Sequence, residues 1–260
     1  ILGGTSSGDL SINSSSTFLN KSVSFISGED ISLATTTLAH AGASAASLLM
    51  QADKDIVLSS AISASTSALN IILQSDFDAD SSGYINIAAA VTSNGGNITL
   101  GGGSGTISAG TGFAVGNAGQ VAGVSIVVAV TASGGNIIIN GQGYNTTTNA
   151  NYGVSIVGAS ASTTTTGAGT ININGTGAGN TNSDNDNGVH IRTGGIVSAV
   201  NGNVSVIGIA GGAGSGIANL GVRIQDANST IKTTGDGNIS VTGTGGNASG
   251  SGGTNYGVYC

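Results

Sequence analysis

The sequence predicts an all-β chain wound as a parallel β-helix, a solenoid of roughly eight to ten coils with the right-handed winding expected of parallel crossovers. Three observations predict it. Short Ile, Val and Leu runs alternate with Ser, Thr and Asn, the period-two pattern of strands with one buried face. Two independent motifs recur with one shared period. The 260 residues include 47 Gly and no Pro, so tight corners are available and no ladder donor is lost.

Compact coils come first. DISL (Asp30–Leu33), DIVL (Asp55–Leu58) and YINI (Tyr84–Ile87) are 25 and 29 residues apart. LLMQADKDIVLSSAIS and ALNIILQSD fill the intervening strands, and GDLSI (Gly8–Ile12) is expected to match the later GNISV strand. Near residue 105 the coils lengthen. GNITL (Gly96–Leu100), GNIII (Gly135–Ile139), GTINI (Gly169–Ile173), GNVSV (Gly202–Val206) and GNISV (Gly237–Val241) start 39, 34, 33 and 35 residues apart. A second motif keeps step: GVSI (Gly123–Ile126 and Gly153–Ile156), GVHI (Gly188–Ile191), GVRI (Gly221–Ile224) and GVYC (Gly257–Cys260). A weaker third strand is expected seven residues before the Asn, at Ile196 and Ile231, with Thr163 in the matching place. Gly-rich loops such as GTGAGNTNSDND and GGAGSGIAN complete the units. The whole of 1–260 is one solenoid, compact over 1–105 and long-looped over 106–260. Neither end carries a polar cap, so the expectation is a segment of a longer chain or a protomer of a head-to-tail fibre.

Alternation assigns the faces. The predicted inward columns are Ile98, Ile137, Ile171, Val204, Ile239; Leu100, Ile139, Ile173, Val206, Val241; Val154, Val189, Val222, Val258; and Ile156, Ile191, Ile224, Cys260. Each fully buried member contributes about 1.5–3 kcal/mol. Cys260 is thereby expected to be inward and apolar. Gly turns the corner before each Asn. The Asn side chains at 97, 136, 203 and 238 are expected to tie coil to coil as a ladder of amides (Asn97, Asn136, Asn203, Asn238).

Composition excludes some partners. Charged residues are 7%, with a net charge of −7 and only five Lys plus Arg. That cannot build the basic face a nucleic acid or an anionic membrane requires. No stretch is long and apolar enough to cross a membrane as a helix.

Candidate sites are few. In DFDADSSG, Asp76, Asp78 and Asp80 place carboxylates at alternate positions and could converge on Ca²⁺, the one cofactor the sequence raises. The motif lacks the Gly and distant Glu of a full calcium loop, and a solvated turn is the alternative. Asp184 and Asp186 in NSDNDNG are a weaker version. Ser155, His190, Arg223 and Tyr259 share one outward position on successive coils. A polysaccharide-cleaving β-helix would place its residues so, but glycoside hydrolysis needs two carboxylates and only Asp226 is near. An ordinary outward face, with no catalytic residues and no enzyme activity, is the expectation. Tyr84, Tyr144, Tyr152, Tyr256 and Tyr259 either stack on sugars or pack on corners. His40 has no partner that the repeat supplies.

Three stretches carry a resemblance: LLMQADKDIVLSSAIS (Leu48–Ser63), ALNIILQSDFDADSSGYINI (Ala68–Ile87) and TSNGGNITLGG (Thr92–Gly102). With the glycine-rich GVxI and GNISVTGTGG coils, they resemble the filamentous-haemagglutinin-like adhesins, including the two-partner-secretion exoproteins of bacteria. The resemblance implies export, exposure at the bacterial surface, and a structural or adhesive role with a surface glycan or other cell-surface ligand. It transfers no particular ligand. A polysaccharide-active or carbohydrate-binding β-helix is the alternative.

Overall fold

The computed structural model describes residues 1–179, 182–212, 215–246 and 252–260. The remaining positions, which belong to the Gly-rich stretches GTGAGNTNSDND, GGAGSGIAN and the one before NYGVYC, lie outside the described residues. Every regular element is a strand, and all strand pairs are parallel. The strands stack into three long sheets. The first runs Leu2–Gly4, Val23–Ser27, Ala46–Ala52, Leu69–Ser75, Ile98–Gly102, Ile137–Gln142, Ile171–Thr176, Val204–Ile209, Ile239–Thr244, with Ala114–Val115 added beside Ile137–Gln142. The second runs from Leu10–Ile12 to Val258–Tyr259, and the third from Ser16–Phe18 to Thr230–Thr233. Each coil visits the three in that order, a parallel β-helix.

The register pairs each motif with its next copy. Ile98 faces Ile137, then Ile171, Val204 and Ile239; Leu100 faces Ile139, then Ile173, Val206 and Val241. In the second sheet Val154, Val189, Val222 and Val258 stack, as do Ile156, Ile191 and Ile224. The change of style is visible in the partners. Val23 pairs with Leu48, Leu48 with Ile71 and Ile71 with Ile98, steps of 25, 23 and 27 residues; Ile98 to Ile137 is a step of 39. The interior is dry and aliphatic: Leu48, Ile71, Ile85, Ile98, Ile137, Ile171, Val189 and Ile191 are all fully buried. One strand could not bury this face; its neighbours above and below do it.

Three expectations need correction. The third-sheet column is Val130, Thr163, Val197, Ile231, so Val197 points inward and Ile196 does not. From Ile191 to Val204 the chain takes 13 residues, where Ile156 to Ile171 and Ile224 to Ile239 take 15. That coil is short by one residue on each side of its third strand, and a single-residue shift turns every side chain over. GDLSI belongs to the second sheet: Leu10–Ile12 pairs with Ile31–Leu33, not with a GNISV equivalent. The confusion has a physical source. Asp9 Oδ1 accepts the Asp30 N–H and Asp30 Oδ1 accepts the Asp55 N–H, so an Asp opens the second sheet as an Asn opens the first, and Gly8-Asp9 imitates Gly-Asn. Cys260 is exposed rather than buried in its column.

His40 does find partners. It points into the bore, fully buried, with Nε2 3.0 Å from Ser67 Oγ and its ring stacked 5.2 Å from Phe18. Thr163 sits in the same wall with its hydroxyl buried and unbonded.

Candidate functional site

The long insertions all leave the solenoid at one corner. Residues 76–84, 103–123, 143–153, 177–188, 210–221 and 245–257 each connect a first-sheet strand to the following second-sheet strand. The third-sheet corners stay tight. One edge of the rod therefore carries nearly all of its variable sequence, and the Asp76–Asp80 turn and the Ser155–His190–Arg223–Tyr259 column lie on that edge or beside it, while the Asn residues at 97, 136, 203 and 238 sit at the corner that enters the first sheet.

The Asp turn is the first of these insertions. Asp76, Ala79 and Ser81 all have positive φ (49°, 59° and 72°), which curls the backbone tightly. The carboxylate oxygens of Asp76, Asp78 and Asp80 lie within 4.8 Å of one another. Asp76 is buried; its Oδ1 accepts the Ser81 and Ser82 N–H groups at 2.9 and 3.2 Å. Burial pushes its pKa up to about 6, against the pull of those two N–H groups. Asp78 and Asp80 are exposed. Hard carboxylate oxygens suit Ca²⁺, which takes about six to eight oxygen ligands, so backbone carbonyls or water have to complete any such shell.

The corner Asn residues do link coils, but not amide to amide. Asn97 Oδ1 accepts the Asn136 N–H (2.8 Å), Asn136 Oδ1 the Thr170 N–H (2.9 Å) and Asn203 Oδ1 the Asn238 N–H (2.9 Å). Each side chain thus bonds the otherwise unpaired backbone donor of the next corner. This explains why Thr170 can stand in line: the link needs only its N–H. A true amide pair occurs elsewhere, where Asn174 Nδ2 donates to Asn140 Oδ1 at 2.9 Å. Asn140 Nδ2 in turn donates to Ser108 O and Thr111 O, pinning the segment 103–113 onto the outer face of the first sheet.

A further ladder runs through the insertions themselves. The Asn151 N–H donates to Asp186 Oδ1, the Asp186 N–H to Asn219 Oδ1 and the Asn219 N–H to Asn255 Oδ1, at 2.9, 2.8 and 2.8 Å. The sequence carried a signal for it, since Asn or Asp stands two residues before the Gly of NYGV, DNGV, NLGV and NYGV. The insertions are thus stacked in register for at least their returning legs.

Those legs cover the outward face of the second sheet. Ser155, His190, Arg223 and Tyr259 do form one column. Ser155 and His190 are nevertheless buried, at 7% and 2% exposure, so this is no ordinary outward face. The Tyr152 ring meets His190 edge-on at 4.8 Å. His190 Nε2 lies 3.3 Å from Gln225 Oε1, and its Nδ1 is buried without a partner. Burial, then the guanidinium groups of Arg223 and Arg192, hold His190 down to about 4, so it is neutral at pH 7. Tyr152 is pushed up by burial while both arginines pull the other way. Asp226 faces the backbone instead, its Oδ2 accepting the Thr193 N–H at 3.2 Å.

Arg192 and Arg223 are the only arginines in the chain. Arg192 pairs with Gln225 and Arg223 with His190, so the two are diagonal neighbours on adjacent coils. Arg223 Nη1 donates to Asn185 Oδ1 at 2.8 Å, a neutral partner. Among the described residues the one ion pair is Lys54–Glu29, so neither guanidinium has a carboxylate in contact. A cavity of about 290 Å³ opens beside Arg223, lined also by Ala218, Leu220, Thr254, Tyr256 and Tyr259. Tyr256 and Tyr259 stack at 6.3 Å with 10° between their planes. Tyr152 and Tyr256 occupy equivalent corner positions, yet one is packed on His190 and the other lines the cavity.

No helix among the described residues is long and apolar enough to cross a membrane. No family model matches the chain, and neither a curated protein nor a solved structure matches it.

Proposed function

We propose that the chain is a stiff rod segment of an extracellular, adhesive protein at a bacterial surface. One observation carries the reading, the division of labour within each coil. Two corners and three sheets repeat with little variation around a dry aliphatic interior, while the third corner releases every long insertion. Nine stacked levels in each of the two longer sheets, at ~4.8 Å per coil, make a rod about 40 Å long. The insertions line one edge with amide and hydroxyl groups, tied to one another by the Asn151–Asp186–Asn219–Asn255 ladder. Such an edge offers a contact surface at low cost to the rod, because loops vary without disturbing the core. The resemblance of Leu48–Ser63 and Ala68–Ile87 to haemagglutinin-like adhesins agrees with this.

Electron micrographs of the native protein, with protease treatment of intact cells, test the proposal. A thin thread that is shaved from the surface is the expected result. A compact particle that remains protected inside the cell overturns it. A second reading, a carbohydrate-binding β-helix, is favoured by the cavity in which Arg223 meets two tyrosines.

A further inference from the structure

We propose that the outer face of the first sheet is a docking surface for a second copy of this chain, joining two rods side by side. The inference goes beyond the adhesive reading and needs only the solenoid.

Charge singles this face out. None of the first-sheet strands contains Asp, Glu, Lys or Arg, and neither does the segment 103–113 pinned across them. Every charge of a chain with net charge −7 therefore lies at a corner, in an insertion or in another sheet. Two copies repel each other along the corner where Asp9, Asp30 and Asp55 stack. Across the first sheet they approach without like charges meeting, whereas a charged partner would find no counter-charge there. The face is also apolar. Ile72, Ile207 and Ile209 point outward and are 37%, 41% and 47% exposed. Each has a strand on both sides: Ile72 lies between Leu49 and Thr99, Ile207 between Asn174 and Thr242, Ile209 between Thr176 and Thr244. Their exposure is therefore to the side of the rod, where a neighbouring rod would lie.

Shape supplies the fit. The segment 103–113 is a ridge on this face, held by Asn140 and also by Gln74, whose Nε2 donates to Gly103 O and Gly105 O at 2.7 and 2.8 Å. On one side of the ridge Leu49, Ile72 and Phe77 line a hollow of about 350 Å³. On the other side Phe113, Ile207 and Ile209 line one of about 200 Å³. A surface that bears both a ridge and hollows can pair with itself about a two-fold axis, the ridge of each copy entering a hollow of the other. The amide N–H groups of Gln74, Asn140 and Asn174 already have acceptors within the chain, so covering them strands no donor. Nine levels at ~4.8 Å, with six-residue strands such as Ile171–Thr176 rising ~3.3 Å per residue, give a face of about 800 Å². That is the share each partner buries in a stable complex of standard size.

Sedimentation velocity on the full chain tests the pairing. The expected result is a concentration-dependent species of twice 24.7 kDa, with a dissociation constant that is micromolar or tighter. Ile72→Asp and Ile207→Asp each place a carboxylate on the face and should raise that constant about tenfold or more. An unchanged far-ultraviolet spectrum checks that each variant folds, and Ile209→Lys takes the place of one that does not. Ser63→Asp puts the same charge on the outer face of the third sheet and should leave the pairing intact. A chain that stays monomeric at every concentration, pairing that persists in the face variants, or an equal loss in Ser63→Asp overturns the proposal. A monomer whose hollows bind the apolar dye ANS, with binding lost in Ile72→Asp and Ile207→Asp, gives the face to a different partner and overturns it as well.

Discussion

A Cβ on Gly208 would lie 1.9 Å from the carbonyl oxygen of Gly221. Here the first-sheet strand leaving a coil crosses the leg returning to the second sheet, backbone against backbone. The same contact recurs between Gly175 and Gly188, at 2.0 Å, and between Gly243 and Gly257, at 1.8 Å. The insertions 143–153, 177–188, 210–221 and 245–257 can be long and various because in each of them this crossing is made of two glycines. Neither chain can give way, since both are held in their ladders. Gly208→Ala should therefore destabilise the protein by about 3 kcal/mol. Gly105→Ala, which meets nothing within 4 Å, should change stability by less than about 0.5 kcal/mol. Denaturant midpoints of the two variants check this, and similar values for both would show that the crossing is not tight.

The assigned faces predict a second pair of outcomes. Ile191 is fully buried between Ile156 and Ile224. Ser205 faces outward between Asn172 and Ser240. Ile191→Asp buries a carboxylate with no partner and should cost about 4 kcal/mol or more. Ser205→Asp should stay within about 0.5 kcal/mol of the parent. Comparable losses in the two, measured by urea titration, would contradict the register.

Register was legible because it is written twice. Ile98, Ile137, Ile171, Val204 and Ile239 each follow Gly by two residues, and the GV motif repeats the count independently. What escaped was whatever depends on a corner of variable length. Counting back from the Asn puts Ile196 in the inward column, but its coil is shorter by two residues, and no apolar pattern distinguishes Ile196 from Val197. The burial of His190 escaped for a different reason. Alternation says which side of its own sheet a residue faces, not what lies on top, and the covering leg is polar and Gly-rich. Asn140 and Asn174 were hidden likewise, since the segment that Asn140 pins is held by backbone carbonyls rather than by apolar residues.

Asp76 predicts a pH dependence. Its folded pKa is raised from 3.8 to about 6, so the native state holds the proton more tightly than the unfolded chain. The stability this contributes is fully present below about pH 3.8 and is lost as pH rises through 6. Between those values stability should fall with pH by up to about 1.4 kcal/mol per unit from this group. Asp76→Asn keeps an Oδ1 acceptor for Ser81 and Ser82 and should remove that slope. The same titration in millimolar Ca²⁺ reads the metal expectation. A cation held by Asp76, Asp78 and Asp80 keeps Asp76 ionised and flattens the slope, whereas an unchanged slope takes Ca²⁺ out of this turn.

Asp186 is the one carboxylate in a ladder otherwise made of Asn. It is fully buried, its Oδ1 accepts both the N–H and the Nδ2–H of Asn151, and its Oδ2 accepts the Ser183 hydroxyl. No cation lies in contact among the described residues, and burial pushes its pKa up. An Asn would keep the Oδ1 acceptor, and its Nδ2 would donate to Ser183 once that hydroxyl turned. Asp186→Asn should thus stabilise the protein by about 1 kcal/mol at pH 7, where the parent carries an ionised, desolvated group. The gain should shrink as pH falls through the raised pKa, because the parent then takes up a proton and becomes neutral as well. Asn219→Asp should do the reverse, adding a like charge one coil away and losing the Nδ2 donation to Ser183 O. Urea titrations at pH 7 and at pH 4 measure both. A destabilised Asp186→Asn at pH 7 would mean that the charge itself holds the ladder together, and that the stacked legs depend on a counter-ion rather than on amide geometry.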